Sequence, residues 1–231
     1  MKIAPGVHSM SQDKGGRVLA FLLDLDDGLT LIDTLYDDDG KVVLDEIASM
    51  GKQPSDLKRI VLTHAHKSHI GGVAALKKAT GARVYSHEWE AEIIAGRRKA
   101  KGIGIWPRKP LAVYHLQLGL ALGAGKHTPC EVDEHLKDAS RLGALEVVTT
   151  PGHTPGCLSF YWKEKRLLVA GDIIATWPEV AAGWPGLTLD QAENERSIGK
   201  LGEARDAEIL CVGHGEPLLS GANDVIRKLK R

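Results

Sequence analysis

The stretch THAHKSHIGG, residues 63–72, places three of the chain's ten histidines, His64, His66 and His69, within six positions. It continues the apolar run RIVLT, residues 59–63, which reads as a buried strand, and it leads into residues 71–80, whose spacing predicts a helix. In extended chain, side chains two residues apart point the same way, so His64 and His66 share one side. His69 falls where the helix begins. Packing imidazoles side by side costs desolvation free energy unless a cation ties them together, and neutral imidazole is the commonest nitrogen donor for zinc. The stretch therefore marks both a strand-to-helix junction and a candidate metal site.

Upstream, residues 18–24 (VLAFLLD) and 29–33 (LTLID), joined by Asp26-Asp27-Gly28, predict an antiparallel hairpin. Residues 42–50 carry Val43, Ile47 and Met50 at helical spacing, and residues 82–86 read as another strand. Residues 96–126 leave two readings open. RRKAKGIGIWPRKP is basic and rich in breakers, and the segment after it is apolar and small, so it is either a lid-like helical insertion or a solvated loop before a core helix. Within it, GLALGAGKHT is not a phosphate loop, because Leu120 and His127 stand where that template needs glycine and a hydroxyl residue. Downstream, LEVVTT, LSFYW and RLLVAGD read as strands, residues 189–201 as a helix, and EILCVGHG as a last strand before a short terminal helix. Strands and helices recur in both halves without a linker, which predicts a single α/β domain over residues 1–231.

Lys+Arg and Asp+Glu balance at 30 each, so the overall field gives no reason to expect a nucleic acid or an anionic membrane as partner. The opening MKIAPGVHSM has no signal pattern, and no apolar run is long enough to span a bilayer, which predicts a soluble, cytoplasmic protein. Cys130, Cys157 and Cys211 are scattered and lack C-x-x-C spacing, so they read as buried free thiols.

The other candidate ligands also follow predicted strands. His153 sits in the turn TTPGHTPG, Asp172 ends RLLVAGD, and His214 follows EILCVG. Five histidines and one carboxylate thus lie at the ends of four strands, where α/β folds build their sites.

In this order and spacing, LTLID, THAHKSHIGG, TTPGHTPG, VAGD and VGHGEP resemble the metallo-β-lactamase superfamily. The resemblance implies a four-layer αββα sandwich and a site for Zn2+, one or two ions per chain, with other divalent metals also compatible. It implies that His64, His66 and His153 hold the first metal, that His69 and His214 hold the second, and that Asp172 bridges them. The family motif is H-x-H-x-D-H, and here Ser68 takes the aspartate's place. A hydroxyl is a poor ligand for a divalent metal and a poor proton acceptor at neutral pH, so the second site should be the weaker.

The expected function is a zinc-dependent hydrolase of small ester-like substrates (thioester, lactone or lactam). It would use a metal-bound hydroxide, with His64, His66, His153, Asp172 and Ser68 at the reacting centre. The partner is then a small-molecule substrate, with no nucleic acid and no membrane expected. The alternative is a catalytically impaired metal-binding domain that binds a ligand or partner. A di-iron redox role is disfavoured by Ser68 and by the chain's length. Asp33 is expected to orient a metal-bound histidine, and Glu216 to face solvent or cap the next element. Trp106, Tyr114, Trp177 and Trp184 either line an apolar pocket beside the metals or pack outer helices.

Overall fold

The computed structural model describes residues 1–123 and 125–229, so Ala124 of the apolar segment and the last two positions of the predicted domain lie outside the described residues. The chain forms two compact units, one of residues 1–100 and 125–136, the other of residues 101–124 and 137–231.

The first unit holds a seven-stranded sheet in the order β1 (Lys2–Ala4), β2 (Val7–Gln12), β3 (Val18–Leu25), β4 (Gly28–Ile32), β5 (Leu57–Val61), β6 (Arg83–His87), β7 (Glu134–Leu136). Strands β1 to β4 pair antiparallel and β4 to β7 parallel. Its helices are α1 (Lys14–Arg17), α2 (Lys41–Ser49), α3 (Lys67–Ile70), α4 (Val73–Thr80) and α5 (Glu88–Ile94). The expected hairpin is present as β3 and β4, with Phe21 opposite Ile32 and Leu25 opposite Gly28. Ala20, Leu22, Leu29, Leu31, Ile60 and Val84 of the strands share one core with Val43 and Ile47 of α2, Leu76 of α4, and Ile93 and Ile94 of α5. The intervening Leu19, Phe21, Leu23, Ile32 and Val61 are buried as well. With both faces covered, β3 reads as a continuous apolar run rather than an alternation.

The helix expected over residues 71–80 is present as α4 and begins two residues late, at Val73, with the short α3 set apart before it. The cause lies at Gly71, where a Cβ would stand 2.1 Å from the Tyr36 carbonyl oxygen and 2.6 Å from that of Leu35. Gly71 N–H donates to the Leu35 carbonyl at 2.9 Å, and the chain turns there.

The second unit holds a five-stranded sheet in the order β12 (Ile209–Val212), β11 (Leu167–Gly171), β10 (Leu158–Trp162), β9 (Leu145–Thr149), β8 (Arg141–Leu142). Strands β8 to β11 are antiparallel in sequence, and β12 runs parallel to β11. Strands β9, β11 and β12 therefore point the same way and end at one sheet edge. Every residue of β10 and β11 is buried. The unit's helices are α6 (Tyr114–Ala121), α7 (Gln191–Ala204) and α8 (Ala222–Leu229), and Ile198, Leu201 and Ile226 are buried on the last two. In the segment that left two readings open, α6 forms, yet Gln117 is its only buried residue. Ile103, Val113, Leu116 and Leu120 pack on Ala175, Trp177, Trp184 and Leu187, while Trp106 stands 80% exposed.

Candidate metal centre

In the first unit, parallel β4 and β5 end side by side, and the residues just past them build the site. Asp33 follows β4 at φ +61°, a left-handed conformation that aspartate tolerates better than most residues. Its buried carboxylate binds three groups. Oδ1 accepts the Thr63 N–H at 2.8 Å, Oδ2 accepts the Thr63 hydroxyl at 2.8 Å, and Oδ2 lies 2.9 Å from His69 Nδ1. The carboxylate can only accept, so it holds the proton on Nδ1 of His69 and selects the tautomer whose Nε2 carries a lone pair. The orienting role expected of Asp33 is thus played toward His69.

His64 and His69 are fully buried, with ring centroids 4.3 Å apart, and the His66 ring stands nearly perpendicular to that of His64 at 4.7 Å. His64 Nε2 lies 3.0 Å from His66 Nδ1, and His64 Nδ1 lies 3.0 Å from the Thr63 hydroxyl. Nitrogens on a tetrahedral zinc, each about 2.0–2.1 Å from the ion, stand roughly 3.3 Å apart. The observed spacing suits a shared cation. The peptide between the two histidines is held by Glu90 of α5, whose buried Oε2 accepts the Ala65 N–H at 3.0 Å. Glu90 was not read from the sequence. Ser68 lies on α3, half-buried, and presents its hydroxyl at the motif position.

In the second unit, His153 follows β9 through Gly152, whose φ is +135° and where a Cβ would lie 2.2 Å from the Asn194 backbone nitrogen. Only glycine fits there. The turn is pinned to the start of α7, because Leu189 N–H donates to the His153 carbonyl at 3.1 Å and Asp190 N–H to that of Gly152 at 2.9 Å. Asp172 follows β11 directly, and its Oδ2 lies 3.5 Å from His153 Nε2 and 3.1 Å from His214 Nε2. One carboxylate oxygen therefore sits between two buried imidazoles. The Trp184 ring lies against His214 with centroids 4.3 Å apart, and its Nε1 donates to the Trp177 carbonyl at 2.8 Å. Glu216 is exposed, as expected, and its N–H donates to the Thr176 hydroxyl at 2.7 Å. All three cysteines are buried thiols outside any disulfide.

The donor sets fit a divalent metal. Imidazole nitrogens and carboxylate oxygens are the ligands such ions take, and His64, His66, His69, His153, Asp172 and His214 supply them. Ligands of this type, delivered by the ends of sheet strands in an α/β fold, define a metal-binding class of hydrolase-like proteins. Residues 13–214 match the metallo-beta-lactamase superfamily, and the chain belongs to it. Its α/β fold is of that type.

Among its relatives, the probable metallo-hydrolase YflN of Bacillus subtilis (strain 168) is 26% identical, over 93% of this chain and 86% of that protein. The hydroxyacylglutathione hydrolase of Cereibacter sphaeroides (strain ATCC 17029 / ATH 2.4.9) is 29% identical over 68% of this chain and 48% of its own length, so the chain spans about half of that relative. A solved metallo-β-lactamase of Cronobacter sakazakii with a HARLDQ motif is 27% identical, covers 93% of this chain and 77% of that one, and superposes with a TM-score of 0.69. Set beside HAHKSH, that motif keeps the aspartate and replaces two histidines; this chain does the reverse. Among the described residues, no helix is long and apolar enough to cross a membrane.

Proposed function

We propose that this chain is a metal-dependent hydrolase of small ester-like substrates, a thioester or lactone before a lactam, acting as one catalytic domain in the cytoplasm. In this reading His64, His66 and His153 hold the first metal, His69 and His214 the second, and Asp172 contributes to both. Zinc is the preferred ion. The observation that carries the reading is the convergence of buried His64 and His69 with half-buried His66, and a carboxylate, Asp33, fixing a tautomer. Such a cluster is costly in a protein that does not bind a cation. The name of the Cereibacter relative, a hydrolase of an acylated thiol, supports the thioester preference.

A divalent metal bound there supplies Lewis acidity and a nucleophilic water at neutral pH. The chain's own residues do the rest. Asp33 keeps the proton on His69 Nδ1, Glu90 holds the peptide between His64 and His66, and Gly152 lets His153 approach from the start of α7. Ser68 offers no carboxylate to accept a proton from the attacking water, and the absence of a general base costs on the order of 10²–10⁴ in rate. That same feature favours a second reading, a metal-binding domain with little turnover.

The test is elemental analysis of the protein purified without chelator, alongside Ser68→Asp, with turnover measured on thioesters, lactones, lactams and phosphodiesters. About one metal per chain rising to about two, with a gain in turnover on the order of 10², is expected. Two metals in both proteins and unchanged rates would show that another group already does the carboxylate's work. Metal without turnover in either protein would establish the binding-domain reading. His153→Ala should lose the first metal, and full occupancy in that variant overturns the ligand assignment.

A further inference from the structure

The neutral overall charge conceals a segregated segment. Residues 93–130 contain no aspartate or glutamate and carry seven lysines and arginines, while the rest of the chain holds 23 Lys+Arg against 30 Asp+Glu. In the first unit, Arg97 is paired with Glu92 and Glu131, and Arg98 lies over the Trp89 ring. The cations of the second unit differ: Lys101, Arg108 and Lys109 are exposed, and among the described residues no carboxylate pairs with them.

Between them stands an apolar tip whose backbone is fixed. Gln117 of α6, itself 1% exposed, donates Nε2 to the carbonyls of Gly104 and Trp106, both at 2.7 Å, and the Tyr114 hydroxyl donates to the Ile105 carbonyl at 3.1 Å. Three consecutive carbonyls are thus held, and Ile103 is packed inward with Trp184. The side chains that follow are left in water, with Ile105 55%, Leu111 67% and Trp106 80% exposed. Holding a backbone rigid while presenting large apolar groups marks a surface for association.

The chemistry distinguishes the partner. Aliphatic Ile105 and Leu111 neither stack on bases nor bond their edges, which disfavours a nucleic acid. A two-fold contact between copies would set the uncompensated cations against one another. Tryptophan and aliphatic side chains flanked by lysine and arginine suit the interface of an anionic bilayer, where the rings sit at headgroup level and the cations meet lipid phosphate. We propose that residues 101–111 form a peripheral docking surface for an anionic lipid bilayer. This rests on the surface alone and stands or falls independently of the hydrolase reading.

The experiment is co-sedimentation of the full chain with vesicles of phosphatidylcholine, with and without phosphatidylglycerol, at low and high salt. Binding to the anionic vesicles should exceed binding to the neutral ones by at least about tenfold and weaken with salt. Trp106→Ser should lower it about tenfold, Trp106→Phe should retain most of it, and replacing Lys101, Arg108 and Lys109 by glutamine should lower it by roughly fivefold per cation. The urea unfolding midpoint of each variant, measured in parallel, reports whether it has folded. Equal binding to both vesicle types, or an unaffected Trp106→Ser, overturns the proposal. So does a wild-type patch that instead drives concentration-dependent self-association or binds oligonucleotides.

Discussion

Asp33→Asn separates orientation of a metal ligand from support of the fold. The wild-type carboxylate accepts from the Thr63 N–H, the Thr63 hydroxyl and His69 Nδ1. In the variant, Oδ1 still accepts the Thr63 N–H, while an NH2 group replaces Oδ2. The Thr63 hydroxyl can turn and accept from it. His69 must also accept, which moves its proton to Nε2, the nitrogen proposed to face the metal. Loss of such an orienting partner lowers metal affinity by roughly 10–100-fold, equal to about 1.4–2.7 kcal/mol. Replacing three charge-assisted hydrogen bonds by neutral ones should cost the metal-free protein on the order of 3 kcal/mol, which a domain stable by roughly 5–15 kcal/mol survives. Asp33→Ala is less informative, because three buried donors left without an acceptor, at roughly 1–3 kcal/mol each, approach the whole stability. The assay is competition with a chromophoric chelator for the weaker metal, paired with urea unfolding of the metal-free protein. A lowered urea midpoint with unchanged chelator competition would refute the reasoning and leave Asp33 a purely structural residue.

Three further outcomes are expected. Asn194 is fully buried and donates Nδ2 to the carbonyls of Ile173 at 2.9 Å and Ala182 at 3.2 Å, so it ties the residue after Asp172 to α7, against which Gly152 is packed. Asn194→Asp sets a carboxylate against two carbonyl oxygens and should cost roughly 3 kcal/mol or more in urea unfolding while weakening metal binding; an unchanged metal affinity would show that both ligand turns are stiff without it. Gly71→Ala drives a methyl group into the Tyr36 and Leu35 carbonyls and should cost on the order of 2–3 kcal/mol by the same assay, whereas wild-type stability would mean that residues 35–36 shift freely. Burial pushes the Cys211 and Cys130 thiols up from their ordinary range, so Ellman's reagent should label less than one thiol per folded chain and all three once unfolded; rapid labelling of the folded protein contradicts that burial.

The residues proposed as metal ligands stand out in the sequence because they are chemically uncommon residues placed directly after apolar runs. His64, Asp172 and His214 each follow a strand that reads plainly, and Asp33 showed itself the same way at the end of LTLID. The groups that hold the backbone between ligands were not legible. Glu90 alternates with the exposed Glu88 and Glu92 and looks like one more solvated acid, and its partner, the Ala65 N–H, is reached only through the tertiary fold. Asn194 likewise reads as an ordinary polar residue in the first turn of a helix. Strands β1 and β2 were missed because KIA and VHSMSQ are too short and too polar to stand out, although Val7, Ser9 and Met10 are buried. Gly71 shows why the helix expected over residues 71–80 starts only at Val73: the reason lies 35 residues upstream, in the carbonyl of Tyr36. This division bears on the serine at position 68. The hydrogen bonds that fix His69 run through Asp33 and Thr63, the Ala65 peptide hangs on Glu90, and Ser68 takes part in none of these contacts. Loss of a carboxylate at 68 therefore removes a donor without loosening the scaffold that aims the others, and restoring it by Ser68→Asp requires no rearrangement of that scaffold.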